Sequence, residues 1–408
     1  MSKVLCVLVS LAFPALAFAQ PATSEDISDV RSTARGHIGP FYLTPGLSLK
    51  ELGVDSNVFN AAGERKSDFT FTLAPTLNVW VPVARRALFK AAASTDVVWY
   101  AEYDSERSID PQLTGRGEVY LNRITFFGER GYLNTRQRPN HEIDLRSRRT
   151  EETLTAGVQV ALTPAFWIEV AGRRFDTRHD EDAQFDGTSL QRALNRETEG
   201  VQVTARHRVS PLTTLAVRYE VMRDRFEFSP VRNSDSYRVM PGVEFKPQAL
   251  LNGSAYVGYR KFTPAMPESL PAFSGVVGQL GLSYTLLGST VFGVSYARDL
   301  TYSYDAVRPF FVDNSVGASV RRALGASFDV LVSGDRHEYT YHSALIATLD
   351  PLIPQRVDVT WTYAGSIGYR IGRTGRVGFG VAYWQRESTA VERAYENIRF
   401  FSTASYGF

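Results

Sequence analysis

Six histidines, His37, His141, His179, His207, His337 and His342, are the side chains best suited to metal binding or proton transfer in this sequence. None belongs to an HExxH pair, and no serine sits in a G-x-S-x-G elbow. His337-Glu338 with His342 is one grouping where a metal or an acid–base pair is imaginable. It lacks a recognisable second ligand set and reads as a solvated strand end. His179-Asp180-Glu181-Asp182, followed by Asp186, is the densest acidic stretch. Loop oxygens of that kind can hold calcium, but the spacing is not that of an EF-hand, so a solvated loop is the favoured reading. Asp104-Ser105-Glu106-Arg107 reads the same way, and no phosphate-cradling loop is found. The expectation is therefore no catalytic residue, no metal, no cofactor and no enzyme.

Read at a period of two, a second set of residues collects on one face: Lys90, Asp96, Glu169, Arg173, Arg206, Arg208, Arg218, Glu220, Arg238, Glu244, Arg260, Asp329, Asp358, Arg370 and Arg386. Charges on the lipid face of a membrane barrel cost ~2–4 kcal/mol near the midplane, so this set belongs inside a lumen. Arg206, Arg208, Arg218, Arg238, Arg260, Arg370 and Arg386 outnumber the acids there. Guanidinium groups favour anionic or hydroxyl-rich solutes. The plainer reading is that paired charges keep the interior wet and the wall rigid. Trp80, Trp167 and Trp384, with Tyr100 and Tyr256, share the face and either stack on sugar rings or fill space against loops.

Strands must position these residues. From Val357 to Ile371 the odd positions are Val, Val, Trp, Tyr, Gly, Ile, Tyr and Ile, while the even ones are mostly small or polar. Phe69–Val81 and Ser327–Asp335 repeat the pattern. The longer runs exceed soluble-sheet strands and match the ~9–11 residues of a tilted membrane strand. Tight links are expected at 82–85, 127–130, 163–164, 210–211, 246–248, 287–289, 323–325 and 372–375, with longer polar links such as 176–197, 263–271 and 342–355 between them. Short turns at one rim and long loops at the other is the asymmetry of outer-membrane barrels. The links imply about eighteen antiparallel strands, an even number that puts both termini at the periplasmic rim. The alternation is weakest between Gly115 and Arg149.

Composition fixes the compartment. Lys3, an apolar run from Val4 to Phe18 and the Ala17-Phe18-Ala19 end read as a signal peptide over 1–19. A polar periplasmic tail over 20–39 and a barrel over 40–408 follow. Cys6 is the only cysteine and lies within the signal, which excludes disulfides and thiolate metal sites from the mature chain. The net charge of +2 argues against a nucleic-acid partner. Beyond the signal no apolar run is long enough for a spanning helix. These features place the chain in the outer membrane of a Gram-negative bacterium, in contact with its lipid. Phe408, Tyr406, Ala404 and Phe400 share one face of the final strand, and this ending resembles the signal read by the outer-membrane barrel assembly machinery, the expected assembly partner.

Glu51-Leu52-Gly53-Val54-Asp55-Ser56-Asn57-Val58-Phe59, Tyr296-Ala297-Arg298-Asp299-Leu300-Thr301-Tyr302-Ser303-Tyr304 and the terminal Phe408 together resemble the putative β-barrel porin 2 family. The resemblance implies a link to exopolysaccharide secretion, hence a passive exit conduit working with a periplasmic polysaccharide export protein. It supplies no catalytic residue. The alternative is a porin for small solutes. A wide lumen free of inward loops favours the first reading, and a constriction made by an inward loop favours the second.

Overall fold

The alternating stretches are strands of one closed antiparallel barrel. The structure, a computed structural model, describes residue 30 and residues 34–407 except 85, 345–354 and 373. The expected signal peptide, most of the expected tail and Phe408 lie outside the described residues. Eighteen long strands follow one another round the wall. They are β1 (Phe41–Asp55), β2 (Asp68–Val83), β3 (Ala87–Tyr100), β4 (Ser108–Leu121), β5 (Ile124–Thr135) and β6 (Arg149–Ala161). Next come β7 (Phe166–His179), β8 (Arg196–Ser210), β9 (Thr213–Phe226), β10 (Ser234–Phe245), β11 (Leu251–Pro264) and β12 (Phe273–Leu286). The last six are β13 (Thr290–Tyr302), β14 (Phe310–Leu324), β15 (Phe328–His342), β16 (Val357–Ile371), β17 (Gly375–Ser388) and β18 (Tyr395–Gly407). Closing the ring pairs each long strand with a neighbour on both sides, which a strand wall in lipid requires.

Along the middle and lower wall, outward residues are mostly apolar. Phe126, Tyr284, Phe292, Phe328, Tyr369 and Tyr406 form an exposed belt near the short-turn rim, and Tyr219, Tyr237 and Tyr259 a higher one on β9–β11. Such aromatic girdles mark the membrane interfaces of outer-membrane barrels. Among the described residues no helix is long and apolar enough to cross a membrane. The strands do so instead.

One expected link is misplaced. Phe127-Gly128-Glu129-Arg130 lies within β5, and the turn is Asn122-Arg123, with Asn122 at φ 48°. Gly128 pairs with Gly117 across the β4–β5 ladder, so two mid-wall glycines imitate the composition of a turn. Asn tolerates the left-handed conformation that the true turn needs.

The seam between β1 and β18 is where the first family motif sits. A bulge shifts the register between Leu49 and Leu52, with Glu51 at φ 53°. A bulge re-aims side chains, and both Glu51 (2.7 Å) and Asp55 pair with Arg399 of β18. Gly53 has no alternative here, because a Cβ would lie 1.9 Å from the Phe400 carbonyl oxygen. Asn57, fully buried, then staples the first loop: its amide donates to the carbonyls of Ala61 (2.9 Å) and Glu396 (3.0 Å) and accepts from the Ala61 N–H (2.9 Å).

Candidate functional site

Alternation along β7–β11 turns a dense set of charges inward, and the side chains saturate one another. Arg206 of β8 donates to Glu169 of β7 (3.0 Å) and Glu244 of β10 (3.2 Å). Arg238 of β10 binds Glu220 of β9 (2.6 Å), which also accepts from Arg173 of β7 (2.8 Å). The Arg218 guanidinium lies 4.3 Å from the Tyr256 ring, whose hydroxyl donates to Glu244. Five neighbouring strands are thus cross-linked on the lumen side. Breaking one such buried pair typically costs ~3–5 kcal/mol, because the surviving charge is left unpaired.

The acid that completes this wall comes from β13. Asp299 accepts from Arg238 (2.9 Å) and Arg260 (2.6 Å), although β11 and β12 stand between β13 and β10. It can reach because the wall parts. The β12–β13 ladder ends at Gly278–Arg298, while the β13–β14 ladder continues to Tyr302–Phe310. The free tip of this hairpin leans into the lumen. There the Tyr302 hydroxyl bonds Asp224 of β9 (2.9 Å) and Ser234 of β10 (2.6 Å). Arg232 holds the Ser303 and Asp305 carbonyls.

A second inward element is the loop 136–148 between β5 and β6. The His141 N–H donates to the Tyr339 hydroxyl (3.3 Å), and its ring lies 4.7 Å from that of His337. Both partners are on β15, half-way round the ring from β5 and β6, so the loop spans the lumen. Arg386 of β17 grips it through the His141 carbonyl (2.6 Å) and the Asp144 carboxylate (2.5 Å). Arg393 adds a contact to Asp144 (3.2 Å) and one to the Glu142 carbonyl. From the seam, Arg138 donates to the Val58 carbonyl (2.6 Å) and Asn60 to Asp144 (3.1 Å). Glu142 accepts from Ser303 of the β13–β14 tip (2.5 Å), which joins the two inward elements.

Ile143 of this loop is fully buried in an apolar cluster with Leu190, Leu194, Phe226, Phe262, Tyr302 and Phe310. Leu190 and Leu194 belong to a short helix α1 (Leu190–Leu194) in the loop after β7. Burying one such side chain contributes ~1.5–3 kcal/mol, so the lumen mouth carries a packed core of its own. Burial against β15, and then the nearby His337, Arg386 and Arg138, push His141 down to about 3. Burial pushes Glu142 up to about 7 against the opposing pull of Ser303 and Arg356.

Both motifs that carried the family resemblance now have a place: one clamps the seam and the crossing loop, the other forms the inward tip. The model of the putative beta-barrel porin 2 family matches residues 34–404. The chain belongs to that family. It is an integral outer-membrane barrel and a channel. No curated protein sequence matches it. Solved structures similar in fold include OpdK of Pseudomonas aeruginosa, at 10% identity, 90% of this chain, 98% of that chain and a TM-score of 0.47. OccK9 (OpdG) of the same organism gives 10%, 90%, 98% and 0.48. A BenF-like porin from Pseudomonas fluorescens Pf-5 gives 9%, 90%, 98% and 0.49.

The remaining candidate residues of this porin are scattered. Arg370 lies 3.6 Å from Asp329 at the short-turn end, where Arg376 holds the same carboxylate at 2.6 Å. Arg208 stacks on Trp167 (5.4 Å) and Arg399 on Trp384 (5.4 Å), so these rings contact guanidinium groups of the wall itself. Trp80 pairs with Lys90 across the β2–β3 ladder. Tyr406 faces outward and is exposed. Among the described residues no metal-holding cluster occurs, the acidic stretch 179–186 included. Sequence reading missed Asp144, Glu142 and Asp299. Asp299 was visible as an odd-position acid on β13, inside the second motif. Ile143 between Glu142 and Asp144 was the signal that the loop is buried.

Proposed function

We propose that this porin is a narrow channel for small polar solutes, with the loop 136–148 as its restriction. The reading rests on one observation above all: the loop reaches His337 and Tyr339 on the far wall and is gripped on the way by the Asp144–Arg386 pair at 2.5 Å. What remains of the cross-section is lined by side chains already paired with each other. A solute passing them meets hydrogen-bonding groups but few uncommitted charges, which suits weak, reversible contact.

The family resemblance pointed instead to exit of a polysaccharide with a periplasmic partner. That passage would need both inward elements to leave together, breaking the Asp144–Arg386 and Asp299–Arg260 pairs and the apolar cluster at once. The inward loop therefore favours the small-solute reading. The test is single-channel conductance in planar bilayers, comparing the native chain with one in which residues 140–144 are replaced by Gly and Ser. A small native conductance that rises on replacement is expected. A large native conductance insensitive to the replacement, together with loss of surface polysaccharide in a deletion strain, would establish polymer exit instead.

A further inference from the structure

The gap that opens between β12 and β13 has an outer side, toward the membrane. Above Gly278 no ladder bond reaches β12 from β13 among the described residues. The two edges are satisfied differently. On β13 the Leu300 N–H donates to the Asp299 carboxylate (2.8 Å), so that edge is capped from within. On β12 the Val276 carbonyl accepts from the Arg298 Nε (3.2 Å), which shows that the polar groups of Val276 point into the gap. The N–H of a strand residue lies on the same side as its carbonyl. The Val276 N–H, and by alternation that of Ser274, therefore face the gap with no strand to receive them. Such donors are costly wherever lipid rather than water lies alongside.

The ladder with β11 fixes the depth of the gap. Val276 stands opposite Tyr259 of the upper aromatic belt, hence at the outer interface. Below it the outward wall is exposed and apolar, with Val257 and Val294. Two cations flank it, both outward by the alternation of their strands. Lys261 follows Tyr259 on β11 and stands opposite Ser274, and Arg298 follows Tyr296 on β13. Neither forms an ion pair among the described residues, whereas Arg130, Arg174, Arg225 and Arg336 on the same outer face each hold an acid. Asp235 of the neighbouring β10 is taken by Arg225, and Asp299 is turned inward to Arg238 and Arg260.

Two unpaired cations and backbone donors above an apolar wall suit a partner that is anionic, accepts hydrogen bonds and carries acyl chains. A lipid phosphate has this chemistry. We propose that the outer side of the β12–β13 gap holds the phosphorylated headgroup of an outer-leaflet lipid. Its phosphate sits between Lys261 and Arg298, and its chains run along Val257 and Val294. The lipid closes from outside the seam that the inward tip leaves open. The site is independent of which solute passes through the lumen.

The test uses the full-length protein in non-ionic detergent micelles, with diphosphoryl lipid A as the probe. Retention is read by native mass spectrometry, and stability by the temperature at which the folded form unfolds on gels. Lipid A should stay bound and raise that temperature, while lipid A stripped of its phosphates should do neither. Lys261→Gln should weaken retention about fivefold and Lys261→Gln with Arg298→Gln about thirtyfold, the scale of one and two cations at an anionic surface. Lys261 is exposed, and Gln at 298 keeps a donor for the Val276 carbonyl, so both lipid-free barrels should be native. Arg174→Gln removes a paired outward cation on β7 and should leave retention unchanged. Excess inorganic phosphate should not displace the lipid, since it has no chains to lie on the wall. Retention of the stripped lipid, an equal loss in Arg174→Gln, displacement by inorganic phosphate, or native retention in the Lys261 variants would overturn the proposal.

Discussion

Arg386 and Asp144 form an ion pair at 2.5 Å between a lumen-facing strand and a loop rooted about a third of the ring away, and both groups are nearly inaccessible to water. The pair decides whether the loop 136–148 is a fixed restriction or a free surface loop. Arg386→Ala leaves the largely buried Asp144 carboxylate with Arg393 and Asn60 as its partners among the described residues. A loss of ~3–5 kcal/mol in loop seating is expected from leaving one partner of a buried pair. The barrel ladders are untouched, so gel migration before and after boiling should be native. Conductance should rise and fluctuate. Unchanged conductance would mean that the apolar cluster alone holds the loop.

Asn57 is the corresponding test at the seam. Its side chain satisfies the Ala61 N–H and two carbonyls, those of Ala61 and Glu396, at the point where the ring closes. Asn57→Ala leaves these partly buried groups without their partner, at ~1–3 kcal/mol for each left unsatisfied and shielded from water. The temperature at which the folded form converts to the slower-migrating unfolded form should fall. A shift no larger than for an exposed control such as Gln248→Ala would remove the seam role.

The period of two made most of the wall legible, because each lumen residue is fixed by its neighbours in the same strand. Arg206, Arg238 and Arg260 could be assigned inward in this way, and they face the lumen. Their pairing with Asp299 could not, since it depends on β13 leaving its ladder with β12, and a broken ladder has no signature at a fixed spacing. Glu142 and Asp144 lie in a connection with no periodicity at all. The charge excess read from the strands was thus an incomplete count: the missing acids arrive from inward-folded segments. The turn at Asn122 was lost for a different reason, since glycines within the wall outweighed a single asparagine.

The chain end supplies a third prediction. Tyr406 faces outward at the short-turn rim, paired with Leu47 of β1 across the seam, and its ring completes the lower aromatic belt. Tyr406→Ala and deletion of Phe408 should each lower the amount of assembled barrel in the outer membrane, the deletion more severely. What does assemble should conduct normally, since Tyr406 faces outward, away from the crossing loop. Native levels in both variants would show that assembly does not read this end.

The fourth prediction is a pH profile set by two adjacent residues acting in opposite senses. His141 titrates at about 3 in the seated loop against an ordinary 6.5, so its contribution to seating is complete above 6.5 and is lost as pH falls toward 3. Glu142 titrates at about 7 against an ordinary 4.5, so its contribution is complete below 4.5 and is lost as pH rises to 7. Between 6.5 and 4.5 the two changes offset each other. Below 4.5 Glu142 has nothing further to give, and His141 alone loosens the loop by ~1.4 kcal/mol per pH unit. Conductance should therefore stay flat from pH 7 to 4.5 and rise below it. Glu142→Gln removes the compensation and should move the onset up to about pH 6.5, while His141→Gln should keep the loop seated in acid. The charged and polar groups facing the pair, Arg138, Arg386, Arg356, His337, Tyr339 and Ser303, are present in both variants and cannot produce the difference. Identical onsets in the two variants would show that neither residue controls the seat.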